Sequence, residues 1–361
     1  MIIGIDASRV IKKFKTGTET YAIELIKALS QIDRQNDYLL YTPKSIGEKL
    51  PHLGENFKER LVPFGRLWTQ FRLSVEMISK KPDVLFIPSH TSPLVHPKKT
   101  IVTIHDLGFK HFPNLYSPSE ILYHNWAMNH AIKSSSHIIA ISKFTKKDIL
   151  TSFTIDPAKI TVIYEGYDEK VFRPDKTRLS QNKPYILFVG RLEEKKNITG
   201  MIKAYDLLRK EPGIKHQFVL TGRPGFGYDK IKSELAKLPS EIRKDIILTG
   251  YVSQERYISL LKNADVLFFC TLFEGFGLPP LEAMASGIPV VASNRTSLPE
   301  IIGKAGLLVN PEKPFEMAVV LSKLINSKAL QKALISKGLA RASMFSWKKT
   351  AEQTLKVLTN L

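Results

Sequence analysis

The chain has 361 residues, too many for one typical hydrophobic core, and so suits two domains. Its 43% hydrophobic and 24% charged content are those of an ordinary globular protein, and no apolar run reaches the roughly 18 residues that a membrane-crossing helix needs. The formal net charge of +19 favours anionic partners: phosphorylated ligands, nucleic acid or an acidic membrane surface. One cysteine, Cys270, allows no disulfide framework and fits a reducing cytosol.

Met1 to Ser8 reads as a first strand and not as a signal peptide, because no basic segment or small-residue cleavage site accompanies it. Thr16-x-x-Glu19 has capping-box spacing, so a helix starts near Gly17, with Tyr21, Leu25, Ile26 and Leu29 along one face. Strand, glycine loop and helix N-terminus have the form of a phosphate-binding turn, which makes Gly17 a candidate ligand contact. Lys12, Lys13, Lys15, Lys58, Arg60, Arg66, Arg72, Lys80, Lys81, Lys98 and Lys99 are spread through this part of the chain. Singly each reads as a solvated side chain; collectively they suggest an N-terminal half that faces something acidic.

Asp83–Ile87 and Thr100–Ile104 are further strands, ending in Pro88-Ser89-His90 and His105-Asp106. Ligands bind beyond the carboxyl ends of strands in parallel α/β sheets, so both histidines stand where function is expected, His105 ahead of His90. Asp106 is equally placed to bond the backbone locally. Strands follow at His137–Ile141 and Lys159–Tyr164, the latter running into Glu165-Gly166-Tyr167-Asp168. From Pro174 to Pro184 no apolar period is present, and the segment reads as a linker.

A second strand–helix series then begins. Tyr185–Val189 precedes Gly190-Arg191-Leu-Glu-Glu-Lys-Lys196-Asn197, His216–Leu220 precedes Thr221-Gly222-Arg223, and Asp245–Thr249 precedes Gly250-Tyr251-Val252. Asp265–Cys270, Pro289–Ser293 and Ala305–Val309 complete a parallel, doubly wound sheet, and Trp347–Leu358 forms a last helix. Between two of these strands lies Phe273-Glu274-Gly-Phe276-Gly277-Leu278-Pro-Pro-Leu-Glu282-Ala-Met-Ala-Ser-Gly287. Gly275-x-Gly277 lets bare backbone approach a ligand, Pro279-Pro280 fit a helix first turn, and Ser286-Gly287 closes that short helix. Two carboxylates flank a helix N-terminus, a place suited to phosphate and hydroxyl groups.

This interleaving of Glu, Gly-x-Gly, Pro-Pro, Glu and Gly-x-Pro resembles the signature of the GT-B retaining glycosyltransferases of family 4, also called glycosyl transferases group 1. Thr103-Ile-His-Asp-Leu107 is similar to a family segment near the reacting sugar, and Gly190-Arg191 with Lys196 matches the family's diphosphate-holding Arg and Lys. Where relatives often carry Asn-Gly-x-Asp, this chain has Glu165-Gly166-Tyr167-Asp168. The resemblance implies an α/β GT-B fold of two Rossmann-like, doubly wound parallel-sheet domains facing a central cleft. Residues 1–174 would form the acceptor domain, completed by a C-terminal helix at 346–361 that crosses back to it. Residues 175–184 would be the linker and 185–345 the nucleotide-sugar donor domain.

On the same resemblance, His105, Glu274, Arg191 and Lys196 carry the catalysis, Lys196 being preferred over Lys195 by register. Gly17, Arg191, Lys196, Gly222, Arg223, Tyr251, Val252, Glu274, Phe276, Gly277, Leu278 and Glu282 would bind the donor. Glu282 takes the ribose, the amides of Phe276, Gly277 and Leu278 complete a cradle, and Arg223 with Tyr251-Val252 lines a base pocket or simply packs. No Asp-x-Asp and no clustered His or Cys is found, so neither a metal nor any other cofactor is expected, and fixed cations would meet the leaving diphosphate. The donor expected is GDP-mannose, and the acceptor a glycan or polyprenyl-pyrophosphate-linked sugar. The protein would be cytoplasmic, with a basic N-terminal domain that could hold it peripherally at the inner face of the cell membrane. A UDP-sugar transferase or a nucleotide-sugar epimerase of the same fold is the alternative. No nucleic-acid partner is expected, because no nucleic-acid-binding module or interleaving of aromatic and basic residues is present.

Overall fold

A computed structural model describes residues 1–360 except 13, 66 and 175–182. The chain divides into two compact units, Met1–Gly166 together with the segment from Phe345 onward, and Tyr167–Met344. The predicted linker falls, at 175–182, outside the described residues.

The first unit is built on seven parallel strands: β1 (Ile2–Asp6), β2 (Asp37–Thr42), β3 (Phe57–Leu61), β4 (Val84–Ile87), β5 (Thr100–Ile104), β6 (His137–Ala140) and β7 (Ile160–Val162), in the order β3-β2-β1-β4-β5-β6-β7. The chain winds outward from β1 to one edge, then returns and winds outward from β4 to the other. Loops on either side of the β1/β4 junction part in opposite directions, and the carboxyl ends of those strands border a crevice. Central strands are buried throughout, as runs such as Val-Leu-Phe-Ile and Thr-Ile-Val-Thr-Ile require of a sheet covered on both faces. One core cluster joins Leu85, Ile87, Val102 and Ile104 of the sheet to Leu73, Met77, Met128, Ala131 and Ile149 of the helices on one face.

Two strands escaped the sequence reading. β2 reads Asp-Tyr-Leu-Leu-Tyr-Thr, and β3 reads Phe-Lys-Glu-Arg-Leu with three charges in five residues. β3 is the sheet's edge, where charged side chains stay in water and deter pairing with another chain, so it carries no apolar run to read.

The first helix, Gly17–Ile32, starts where its capping box places it: the Thr16 N–H donates to Glu19 Oε2 at 3.0 Å. The last helix, Trp347–Thr359, belongs to this unit too. Its Thr350 hydroxyl donates to the Tyr164 carbonyl at 2.8 Å, and its Trp347 ring meets the Tyr21 ring edge-on at 6.0 Å. Gly166 allows the approach, since a Cβ there would lie 2.1 Å from the Trp347 backbone nitrogen.

The second unit repeats the plan with six parallel strands: β8 (Tyr185–Val189), β9 (Gln217–Thr221), β10 (Ile246–Gly250), β11 (Val266–Phe269), β12 (Val290–Ser293) and β13 (Leu307–Val309), ordered β10-β9-β8-β11-β12-β13. Its winding reverses between β8 and β11. Both halves are thus doubly wound, and each has one junction of the kind that accepts ligands.

Candidate active site

In the second unit, the segments leaving β8 and β11 meet at the reversal point. After β8 the backbone passes through Gly190 at φ 151° and on to Arg191, whose Nη1 lies 3.6 Å from Glu193 Oε2. Glu193 is buried, and its other oxygen lies 3.6 Å from Lys195 Nζ. Lys195 is thereby turned toward Glu193, and Lys196 toward the other side. Lys196 Nζ lies 2.5 Å from Glu274 Oε1, both side chains mostly buried at 16% and 12% exposure. At that depth the two charges attract more strongly than a surface pair, desolvation offsets much of the gain, and loss of either partner leaves the other charge uncompensated.

Asn197 fixes this loop. It adopts a left-handed conformation at φ 57°, and its Nδ2 donates to the carbonyls of Cys270 at 3.0 Å and Pro311 at 2.6 Å. One side chain thus ties the loop after β8 to the end of β11 and to the segment after β13. The backbone repeats the tie where the Leu272 N–H donates to the Lys195 carbonyl at 3.0 Å. Cys270 is buried among these bonds, and burial pushes its thiol well above the ordinary value, so it stays a neutral thiol.

From Cys270 the chain runs through Phe273 and Glu274 into the helix Leu278–Ala285. Gly277 precedes this helix at φ 105°, and a Cβ there would meet Leu298 Cδ2 at 2.6 Å, so the position needs glycine. Pro279 and Pro280 supply no N–H, which leaves the amides of Gly277 and Leu278 as the donors at the helix start. Ser297 Oγ lies 3.0 Å from the Glu274 carbonyl oxygen and 2.9 Å from that of Phe276, clamping the loop from the next strand's end. The Glu274 N–H donates to Thr296 Oγ1 at 3.3 Å. Glu282, a turn into the helix, accepts a hydrogen bond from the Tyr257 hydroxyl. Burial, with the Glu282 carboxylate beside it, raises the Tyr257 pKa, so the phenol remains a donor. Gly287 closes the helix at φ 72°, as its sequence position predicts.

The ends of β9 and β10 are drawn into the same edge. The Gly190 N–H donates to the Thr221 carbonyl at 2.9 Å, and the Gly222 N–H donates to the Gly250 carbonyl at 2.9 Å. Arg223 and Tyr251 are exposed just past these strand ends, and Val252 is half-buried. The structure therefore gathers Arg191, Lys196, Gly222, Arg223, Tyr251, Val252, Glu274, Phe276, Gly277, Leu278 and Glu282 along one edge of the second sheet. Such an edge offers cations and a helix N-terminus to a polyanion, and carboxylates to hydroxyl groups.

Gly17 and His105 lie in the other unit. Gly17 is exposed at the first position of its helix. His105 follows β5 and is buried, with Nε2 3.0 Å from the Pro88 carbonyl oxygen and Nδ1 3.5 Å from Glu165 Oε1. Oxygens thus stand by both ring nitrogens. Tyr21 meets the imidazole edge-on at 4.9 Å. Asp106 takes the local course, accepting from the Gly108 N–H at 2.8 Å. His90 is pulled down to about 3, first by burial and then by Arg9 and His124, and stays neutral at ordinary pH.

Sequence reasoning missed several members of these constellations. Asp6, at the end of β1, is buried, accepts from the Ser8 N–H at 2.9 Å and is raised by burial. Its position past a strand beside the β1/β4 junction was the available signal. Tyr257, Thr296 and Ser297 carry no such signal, because only the fold brings their hydroxyls to Glu282 and Glu274.

The family model described as Glycosyl transferases group 1 matches residues 170–341, and that described as Glycosyltransferase Family 4 matches residues 15–171. The O-antigen chain mannosyltransferase B of Escherichia coli is 26% identical, over 97% of this chain and 98% of its own length. The MMP alpha-(1->4)-mannosyltransferase of Mycolicibacterium hassiacum is 33% identical, over 61% of this chain and 53% of its own length. A match to a serotype-specific mannosyltransferase of Escherichia coli, at 28% identity over 73% of this chain, spans only 34% of that protein. Among solved structures, Anabaena HepE in complex with UDP-glucose superposes with a TM-score of 0.76 at 18% identity, covering 100% of this chain and 99% of that one. WaaG, a glycosyltransferase involved in lipopolysaccharide biosynthesis, gives 0.76 at 15% identity with 100% of both chains covered. The two family models run in succession from residue 15 to residue 341, through both parallel-sheet units, and the chain accordingly belongs to glycosyltransferase family 4, with the GT-B fold.

Proposed function

We propose that this glycosyltransferase moves mannose from GDP-mannose to a glycan or polyprenyl-pyrophosphate-linked acceptor, with retention at the anomeric carbon and without a metal ion. The observation that carries the reading is the buried Lys196–Glu274 pair beside the start of the helix Leu278–Ala285. The mannose assignment draws further support from the bacterial relatives, several of which are mannosyltransferases.

On this reading Arg191 grips the donor diphosphate bidentately, and Lys196 adds a point charge. The helix N-terminus favours the same negative charge. Glu282, held by Tyr257, accepts hydrogen bonds from the ribose hydroxyls, while Glu274 orients the sugar. The bond from the anomeric carbon to the phosphate oxygen breaks, and its electron pair leaves with GDP. The acceptor hydroxyl oxygen bonds to that carbon from the same face and gives its proton to the departing phosphate oxygen. His105, just past the end of β5, is the further residue assigned to catalysis on this reading.

A thermal-shift panel of nucleotide sugars, each with magnesium or with EDTA, tests this. A donor at about 100 times its dissociation constant adds about 2.7 kcal/mol of stability. GDP-mannose should stabilise equally under both conditions, and Lys196→Ala and Glu282→Ala should abolish the shift. No shift with any nucleotide sugar would sink the reading. A UDP-hexose is the second reading, favoured by the UDP-glucose bound to the Anabaena protein, and stabilisation by UDP-sugars alone would select it.

A further inference from the structure

The segment that follows β7 is pinned in place by the last helix. The Ile163 N–H donates to the Ala140 carbonyl at 3.0 Å, and the Tyr164 carbonyl then accepts from the Thr350 hydroxyl at 2.8 Å. The Tyr164 ring meets Phe345 edge-on at 5.7 Å, and Gly166 packs against the Trp347 backbone. Between these two fixed residues stands Glu165, with only 3% of its surface exposed. A carboxylate at that depth is costly unless opposite charge or hydrogen-bond donors surround it. Glu165 Oε1 lies 3.5 Å from His105 Nδ1.

Three other groups hold the same histidine, each from a different element. The Pro88 carbonyl oxygen, in the loop after β4, lies 3.0 Å from Nε2. The Thr145 hydroxyl, on the helix Lys143–Ser152, donates to the His105 carbonyl at 3.2 Å. Tyr21, on the first helix, packs edge-on against the ring, and its hydroxyl lies 3.2 Å from Thr103 Oγ1. Burial raises the Tyr21 pKa, Thr103 lowers it and the Glu165 charge raises it again, so the phenol stays neutral. A carbonyl oxygen can only accept, so the contact with Pro88 uses Nε2 as the donor. Nδ1 is then the nitrogen whose neighbour is a side chain, and the bond made at one nitrogen of a histidine sets the state of the other. A carboxylate there can only accept, whereas an amide of the same shape also donates.

We propose that Glu165 is a positioning residue for the transfer reaction, fixing the His105 ring through Nδ1. The proposal rests on the reading that His105 takes part in catalysis. Glu165→Gln keeps the side-chain shape and removes the charge. In proton–nitrogen multiple-bond NMR spectra of the full chain, the His105 ring-nitrogen signals, assigned by their loss in His105→Gln, should move in Glu165→Gln, while those of His111 stay. Turnover is read as nucleoside diphosphate released from the nucleotide sugar that stabilises the protein, with water or octyl α-mannoside as acceptor. In Glu165→Gln kcat should fall by about tenfold and KM for the donor stay within about twofold, with the donor-induced thermal shift unchanged. Should that variant fail to fold, Thr350→Val carries the test. It removes the bond that pins Tyr164, and should displace the same signals and lower kcat by about threefold. Unmoved His105 signals overturn the proposal. So does a kcat equal to the parent's in Glu165→Gln while His105→Gln is impaired, and a lower melting temperature beside that unchanged kcat would mark Glu165 as merely structural. Full kcat in His105→Gln removes the catalytic reading of His105, and the positioning role falls with it, a failure told apart from the first because the His105 signals still move in Glu165→Gln.

Discussion

At Gly222 the backbone stands at φ 147°, and a Cβ would lie 1.8 Å from the Gly190 carbonyl oxygen. Gly222→Ala must therefore push apart two strand ends that carry the proposed donor site, and a loss of about 2–3 kcal/mol is expected in urea unfolding. Gly17 is different, because nothing lies within 4 Å of its Cβ position. Gly17→Ala should leave the melting temperature unchanged. If a donor phosphate approaches that backbone, nucleotide-sugar affinity falls by about tenfold, and unchanged affinity removes the turn from the donor site. Tyr257→Phe makes the sharper comparison. It deletes only the hydroxyl that holds Glu282, at a cost of about 1–2 kcal/mol. Calorimetric titration with the nucleoside diphosphate should find binding weakened by about tenfold, and equal binding would separate Tyr257 from the ribose site.

Among the elements, the loop from Arg191 to Asn197 depends on one side chain. Asn197→Ala removes the bonds to Cys270 and Pro311 and puts a Cβ-bearing residue without an amide into the left-handed region. Unfolding free energy should fall by about 3 kcal/mol, and transferase activity should fall with it because Lys196 is the neighbouring residue. Chemical denaturation beside an activity assay measures both, and a variant of full stability would show that the backbone bond from Leu272 suffices. How far this was legible differs by element. The strands β8 to β13 are mostly apolar runs, and their parallel alignment follows from the alternation with helices. The edge strand β3 keeps its charges in water and so leaves no pattern. For the site, Glu274 and Glu282 stand in one local motif and Lys196 in another, and both motifs are legible in the sequence. Tyr257, Ser297 and Glu165 reach their partners across long sequence separations, which spacing does not encode.

For the molecule as a whole, pH is the most accessible probe. His90, His96, His124 and His137 of the first unit are each lowered from the ordinary histidine value, with burial the first cause in every case. A depressed folded value means that the unfolded chain takes up protons which the folded chain refuses. Their contribution is complete above the unfolded value of about 6.5 and is lost as pH falls below it. The melting temperature should thus drop as pH falls from about 6.5 to 5, and less steeply in His90→Gln. A flat profile in that window would contradict the burial of these rings. No helix among the described residues is long and apolar enough to cross a membrane.

The helix Trp347–Thr359 completes a unit whose other residues end at Gly166. A ribosome therefore releases every strand of the first sheet long before the piece that packs on Tyr21 and Tyr164. The second unit is continuous in sequence from Tyr167 to Met344, and all of it has been synthesised by then. The half of the protein that is made first is the half that closes last.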